Sequence, residues 1–337
     1  MSKKISFIVP VTRKTECLKL LDSIKANNIA ENMEYEIILV MNPDIDLHDD
    51  IKNDTSIKLI SCDNMHTSHR RNYGVINSCG DYIAFLDDDI ILHNTWISTV
   101  ASYLDKGYDI LFGPTESCGK DFTQALSDKI TILLIREAHT KNHKKEKLIP
   151  KLDKMYTCNC AMKRNVWEQT AGFNEVADYH VDDIEFFYIA EKLGFKIISV
   201  KKASAYHKKR KFLLPFFSYL FSYAKASGMN AVLFPEIYRH SGWIKSILLS
   251  FIVFPFIIFI KYELMFYFFI SYLAAMSLYI LINAGKFGLY TVLMPFVMIF
   301  VHIDIYIAFL TGFFSTLLHP GKHKAVKEHK IQRYRKI

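Results

Sequence analysis

Tyr82-Ile83-Ala84-Phe85-Leu86-Asp87-Asp88-Asp89 is an apolar run that ends abruptly in three carboxylates. Apolar residues without alternation read as a strand buried on both faces, the kind found in parallel sheets covered by helices. Three adjacent carboxylates at the carboxyl end of such a strand repel one another unless a cation or solvent neutralises them. A hard divalent ion held by one or two carboxylates takes further oxygen ligands from elsewhere, typically substrate phosphates. On its own the triplet reads either as such a metal and diphosphate site or as an acidic surface turn, an N-cap before a helix at Trp96.

Working outward, Ile5 to Val9 is a second buried strand, stopped at Pro10, and Leu18, Leu21 and Ile24 recur at helical spacing before Asn27-Asn28. Glu36 to Val40 is a third strand, broken by Asn42-Pro43-Asp44, and Ile57 to Ile60 a fourth. A helix is expected over 68–78, ending near Gly80. Strand, helix and strand in alternation predict an α/β domain with a doubly wound, mostly parallel sheet. Such sheets bind ligands beyond the carboxyl ends of their strands, so the loops after Val9, Val40 and Leu86 are expected to share one crevice. The stretch 121–147 reads as helical and then, from His139 to Lys147, as a polar, basic surface segment.

Composition divides the chain of 337 residues. It is 51% hydrophobic, with a mean hydropathy of +0.11, but the apolar excess lies after Trp243. The expected plan is a catalytic domain over 1–211, an interfacial amphipathic helix region over 212–240, all-α membrane-embedded helices over 241–320 and a basic tail over 321–337. Apolar stretches at 244–260 and 262–282 are expected to form a hairpin with its tip near Lys261 to Glu263. A third, 287–318, is too long for one untilted span and carries His302 and Asp304 in its middle; it reads as one span plus an interfacial helix or as two short helices, and Asp304 favours some such break, because a mid-bilayer carboxylate is costly.

The net charge of +8 is concentrated at 201–211 and 322–336, on either side of the apolar region. That placement predicts anionic membrane lipids as partners, a cytoplasmic first domain and an even number of crossings of the cell membrane. No nucleic-acid-binding motif accompanies the basic tail, so nucleic acid is not an expected partner. The opening Met1-Ser2-Lys3-Lys4 leads into an apolar run too short for a signal peptide, which also predicts a domain retained in the cytoplasm. Six cysteines without ligand spacing read as reduced, mostly buried thiols. Few charged residues and no paired repeats in the apolar region argue against a pore or transporter.

The triplet has company. Ser68-His69-Arg70-Arg71-Asn72-Tyr73-Gly74 and Gly80-Asp81 precede it; Gly172-Phe173-Asn174-Glu175, Val181-Asp182-Asp183-Ile184-Glu185, Gly194-Phe195-Lys196 and His207 follow. In order and spacing, residues 4–207 resemble family-2 glycosyltransferases of the GT-A fold, a Rossmann-like α/β architecture. That family runs roughly V-P-x-x-N, A-R-N-x-G, G-D/E-Y-x-x-F-L-D-x-D, G-G-F-D-E, E/D-D-x-E/D and a late histidine. The hydrophobic tail is similar to members with C-terminal membrane helices.

The resemblance implies a role for each matching residue. Asp87 and Asp89 correspond to the D-x-D carboxylates that bind Mg²⁺ or Mn²⁺ and the diphosphate of a nucleotide-sugar donor, with Asp88 between them. His207 corresponds to a histidine that completes the metal shell in some relatives. Asp183 corresponds to the catalytic base, Asp182 to its neighbour, and Arg71 to an arginine near the nucleotide. Asp182-Asp183 also reads as a solvated helix N-terminus, where the dipole favours carboxylates. Asn159 precedes a segment resembling the N-x-A-x-R-R stretch on the acceptor side, and a plain buried strand accounts for it equally well.

Two positions depart from the family. Met41 stands where an aspartate usually contacts the nucleobase, leaving Asn42 to present an amide to a base edge; UDP is the default nucleotide. After Pro10 the usual asparagine is missing, so Thr12 or Arg13 is expected to take over its contacts with the donor. The implied reaction is inverting transfer to a hydroxyl of a membrane-associated acceptor, such as a lipid-linked saccharide or envelope polysaccharide. A polyprenyl-phosphate acceptor is one alternative. A non-catalytic membrane protein whose domain binds a nucleotide or partner is another.

Overall fold

The computed structural model describes residues 2–12, 16–29, 33–64, 66–117, 121–135, 147–148, 155–176, 182–208, 210–238, 244–251, 263–282 and 288–334. In chain order the first elements are β1 (Lys3–Val11), α1 (Glu16–Lys25), β2 (Met33–Met41), α2 (Asp49–Lys52), β3 (Ile57–Ser61), α3 (Thr67–Ile76) and β4 (Tyr82–Leu86). Then come β5 (Ile90–Leu92), α4 (Trp96–Asp105), β6 (Ile110–Phe112), β7 (Thr115–Ser117), α5 (Phe122–Ile135), β8 (Lys147–Leu148) and β9 (Asn159–Lys163). The series continues with α6 (Arg164–Thr170), α7 (Asp182–Lys192), β10 (Ile197–Ser199), β11 (Ala205–His207) and α8 (Leu214–Leu233).

Eight strands form one sheet in the order β3-β2-β1-β4-β9-β6-β10-β8. The strands β1 to β4 run parallel, as the sequence pattern predicts. Between β4 and β6 lies β9, antiparallel to both. Alternation along β1 sends Ile5, Phe7 and Val9 into one apolar layer with Leu39 and Trp96. Ile8 joins the opposite layer with Ile38, Phe85, Phe173 and Phe186. Every residue of β4 is buried, as an interior strand covered on both faces must be.

A second, three-stranded sheet of order β5-β11-β7 is absent from the sequence reading. Its β5 follows the carboxylate triplet directly. Asn159 pins the two sheets: Trp96 Nε1 donates to its Oδ1 at 2.8 Å, while its Nδ2 donates to Ala203 O at 3.0 Å and Pro114 O at 3.3 Å. A buried amide satisfied on both ends fixes a unique arrangement.

The chain divides into two compact units, residues 1–119, 135–209 and 328–337 on one side and residues 120–134 and 210–327 on the other. In the second unit, α8 packs along the helix Met294–Leu318. Their backbones touch at a pair of glycines. A Cβ on Gly228 would lie 2.0 Å from Phe309 O, and one on Gly312 would lie 1.9 Å from Lys225 O. Close backbone approach at small residues is how helices associate where no hydrophobic effect drives them together. Among the described residues, Met294–Leu318 is the one helix long and apolar enough to cross a membrane, with a mean hydropathy of 2.0. Apolar residues 270–282 form part of a further helix, Glu263–Ile282.

The expected break at Asp304 does not occur: the helix runs unbroken through it for 25 residues. A helix satisfies its own backbone groups, so a polar side chain gives it no reason to unwind. His302 finds a partner within the unit, Tyr272 Oη, at 2.5 Å from its Nδ1. The hairpin tip expected at Lys261 lies outside the described residues, as do residues 252–260 and 283–287, Arg13 and the basic segment 139–146.

Candidate active site

The triplet leaves β4 in a tight turn in which Ile90 N donates to Asp87 O at 3.2 Å. That turn separates the three side chains. Asp88 is buried and points to the loop after β1, where its Oδ2 accepts from Thr12 N at 2.6 Å and Thr12 Oγ1 at 2.8 Å. Asp87 and Asp89 group with His207, and one ligand atom from each lies within 4.8 Å of the others. The imidazole arrives by strand pairing, because β11 runs antiparallel to β5 with His207 opposite Ile90. Its Nε2 is 3.2 Å from Asp89 Oδ1. Asp89 is 3% exposed and Asp87 34%, so the group opens to one side.

Arg71 links this group to the second acidic pair. It sits on α3, buried, with Nη2 3.4 Å from Asp87 Oδ1 and Nη1 3.2 Å from Asp182 Oδ2. The Asp182 oxygen also accepts from Ser68 Oγ at 2.9 Å. Burial alone would lower the Arg71 guanidinium, but Asp182, Asp87 and Asp183 around it raise it, so it stays charged. Asp182 and Asp183 begin α7, where unpaired backbone N–H groups favour carboxylates. Half-buried Asp183 is pushed up to about 7, first by loss of solvent and then by repulsion from Asp182, against the pull of Arg71.

The turn before α7 is tied to the residue after Arg71. Asn72 Oδ1 accepts from Phe173 N at 2.8 Å and Trp167 Nε1 at 3.1 Å, and its Nδ2 donates to Phe173 O at 2.8 Å. Gly172 has φ +66, and a Cβ there would stand 2.6 Å from Asn72 Oδ1, so the turn needs glycine.

Other sequence-predicted residues are placed as follows. Pro10 is buried in β1 opposite Val40, and half-buried Asn42 turns its Oδ1 back toward Asp44 N at 3.3 Å. Cys17, in the same region, has its thiol pushed up to about 12 by burial and by Asp88, as suits an inert core cysteine. Sequence reasoning missed Asn159 as the pin between sheets and Glu185 as a fully buried acid. The only signal was their place inside motifs already singled out.

Two carboxylates and an imidazole, with atoms close enough to share one ion, fit a divalent metal that accepts oxygen and nitrogen ligands, such as Mn²⁺ or Mg²⁺.

Solved structures similar to this chain include the following. The structure of S. aureus TarS 1–349 in complex with UDP is 16% identical, with 66% of this chain covering 65% of that one at a TM-score of 0.47. A mannosyltransferase from Pyrobaculum calidifontis in complex with GDP-Man and Mn2+ is 15% identical, with 68% covering 63% at a TM-score of 0.50. This chain thus spans less than two thirds of the length of either protein. Among curated proteins no sequence matches. The model of glycosyl transferase family 2 matches residues 6–170, from β1 through α6 and so across Arg71 and Asp87 to Asp89, and this part of the chain, with its GT-A sheet, is a family-2 glycosyltransferase domain.

Proposed function

We propose that the chain is an inverting, Mg²⁺- or Mn²⁺-dependent glycosyltransferase that moves a sugar from a nucleotide donor, UDP-linked by default, to a hydroxyl of a membrane-associated acceptor. The acceptor class is a lipid-linked saccharide or an envelope polysaccharide. One observation carries the reading: Arg71 stands between a group of potential metal ligands, Asp87, Asp89 and His207, and an acidic pair in which Asp183 is raised to about 7. A diphosphate leaving group and a hydroxyl nucleophile need these two environments side by side.

Asp87, Asp89 and His207 would hold the metal, which when bound offsets charge developing on the diphosphate. Arg71 adds a fixed positive charge next to them. Asp183 takes the acceptor's hydroxyl proton as that oxygen attacks the anomeric carbon and the bond to the diphosphate oxygen breaks on the opposite face. Asp182, paired with Arg71 and hydrogen-bonded by Ser68, holds the arginine in place. Asp88 and Thr12 fix the loop that borders the donor, and Asn42 lies at the end of β2 where a base edge is expected.

The membrane side of the reading is supported by one spanning-length helix, a second apolar helix and the basic stretches at 201–211 and 322–336. We place the protein in the cell membrane as a multi-pass protein with its first unit in the cytoplasm. A screen of nucleotide sugars against the full chain in lipid nanodiscs, with and without Mn²⁺, tests the whole reading. Metal-dependent binding of one donor and its transfer to lipid-linked saccharide support it; no binding under any metal rejects it. Near-full transfer by Asp183→Asn would instead favour a polyprenyl-phosphate acceptor, for which a base is dispensable.

A further inference from the structure

Behind α7 lies a buried ion pair that none of this chemistry uses. Glu185, in the first turn of α7, has no exposed surface, and its Oε2 accepts from Asn174 Nδ2 at 2.7 Å. Its Oε1 stands 3.4 Å from Nε of Arg333, which is 6% exposed. The other two nitrogens of Arg333 donate to Ala171 O at 3.1 Å and Gly172 O at 2.7 Å. Those carbonyls belong to the left-handed turn that ends α6, with φ 58 at Ala171 and 66 at Gly172. Tyr334 adds a ring contact to Tyr188 of α7 at 5.8 Å. Arg333 lies near the end of the last helix, Lys324–Tyr334, and residues 328–337 count with the first compact unit.

Among the described residues, the polar contacts of this guanidinium all go to the segment that carries the acidic pair. Loss of solvent lowers Arg333 and raises Glu185, and each offsets the other's burial. A planar guanidinium can meet a carboxylate and two carbonyls at once, whereas a lysine ammonium is a compact point charge that cannot span all three. The turn it grips is also the one that Asn72, next to Arg71, holds from the other side.

We propose that Arg333 is a positioning residue: it clamps the 171–174 turn to the first turn of α7 and so sets where Asp182 and Asp183 stand relative to Arg71. The proposal rests on reading Asp183 as the base. It makes the helix Lys324–Tyr334 part of the active-site scaffold, so that this helix is required for turnover.

The test uses the full chain in nanodiscs with Arg333→Lys and the double variant Glu185→Gln/Arg333→Met, which buries no unpaired charge. The measurements are kcat, metal-dependent donor affinity, melting temperature and amide hydrogen exchange. Both variants should lose about 10- to 100-fold in kcat, as small misplacements of catalytic groups do. Donor affinity should stay within about threefold, because the ligands on β4 and β11 are untouched. Amides of 171–187 should exchange faster while those of 5–11 and 82–86 do not. Wild-type kcat in both variants overturns the proposal, and so does a loss of donor affinity that matches the loss of kcat. A wild-type chain that transfers no sugar overturns the proposed function instead; unchanged exchange at 171–187 then still overturns the clamp.

Discussion

The chain holds two runs of adjacent carboxylates beside a single guanidinium, and their surroundings balance the charge in different ways. At Asp87 to Asp89 a turn at a strand end splits the run. Asp88 goes to Thr12, while Asp87 and Asp89 join His207 around a space with more negative than positive charge. At Asp182-Asp183 the run starts a helix. Arg71 pairs with the first acid, Ser68 donates a hydrogen bond to it, and the second is left short of solvent and of counter-charge. On the proposed reading the first run collects a cation and the second keeps a proton acceptor near neutral pH. Adjacent acids thus differ by what the fold brings to them, not by their own spacing.

The sharpest way to break that contrast is Asp89→Ala. If the first run is a metal site, metal-dependent donor binding should vanish and transfer should fall on the order of a thousandfold. The melting temperature should hold within a few degrees, because the site contributes charge to an ion rather than apolar area to the core. A variant that melts far below wild type would make Asp89 a structural residue and dissolve the distinction between the two runs.

Asp183→Asn should act on the other side alone. Transfer is expected to fall about 10²- to 10⁴-fold, with donor binding retained. The ionised form of Asp183 is the active one, so wild-type kcat/KM should rise with pH and level off above about 7. A metal ion nearby favours that ionised form and shifts the limb to lower pH. Stability has the opposite sign. Because the folded chain holds this proton to about 7 against an ordinary 3.8, stability falls as pH rises between those values. The asparagine variant escapes that loss, so at pH 8 it should melt a few degrees above wild type. Equal melting points at pH 8 would put Asp183 in water, with no perturbed base.

Much of this contrast could be read before the structure, for a physical reason. Tyr82 to Leu86 and Ile57 to Ser61 come within a residue of their expected bounds, since an apolar run between polar breaks leaves little choice. The second sheet could not be read. Ile90-Ile91-Leu92 and Ala205-Tyr206-His207 are too short to carry a period, and their pairing joins distant segments. The same holds for Arg333. Lysines and arginines at 322–336 look alike as a basic stretch facing lipid, and nothing in the stretch marks the one that finds a buried Glu185. Nor does hydropathy reveal that the helix Met294–Leu318 continues through Asp304, because backbone hydrogen bonds, not side-chain polarity, decide continuity.

The smallest effect belongs to the middle acid of the first run. Two hydrogen bonds from Thr12 converge on one oxygen of Asp88, one from the backbone and one from the hydroxyl. Thr12→Val keeps the β-branched shape and the backbone donor and removes the hydroxyl alone. A charge-assisted hydrogen bond to a buried carboxylate contributes about 1.5–3 kcal/mol, and the remaining donor shares that load, so a loss near the lower figure is expected. In melting temperature this is a fall of a few degrees for a domain of this size. If Asp88 is a fastener for the β1 loop, donor affinity should drop only about three- to tenfold, through a looser loop, and its dependence on metal concentration should not change. Were Asp88 instead a ligand held in place by Thr12, the metal concentration needed for half-maximal binding would rise with the loss of the hydroxyl. That shift, measured by titrating Mn²⁺ at fixed donor, would move Asp88 from the fastener to the metal group and make the first run a site of three acids rather than two.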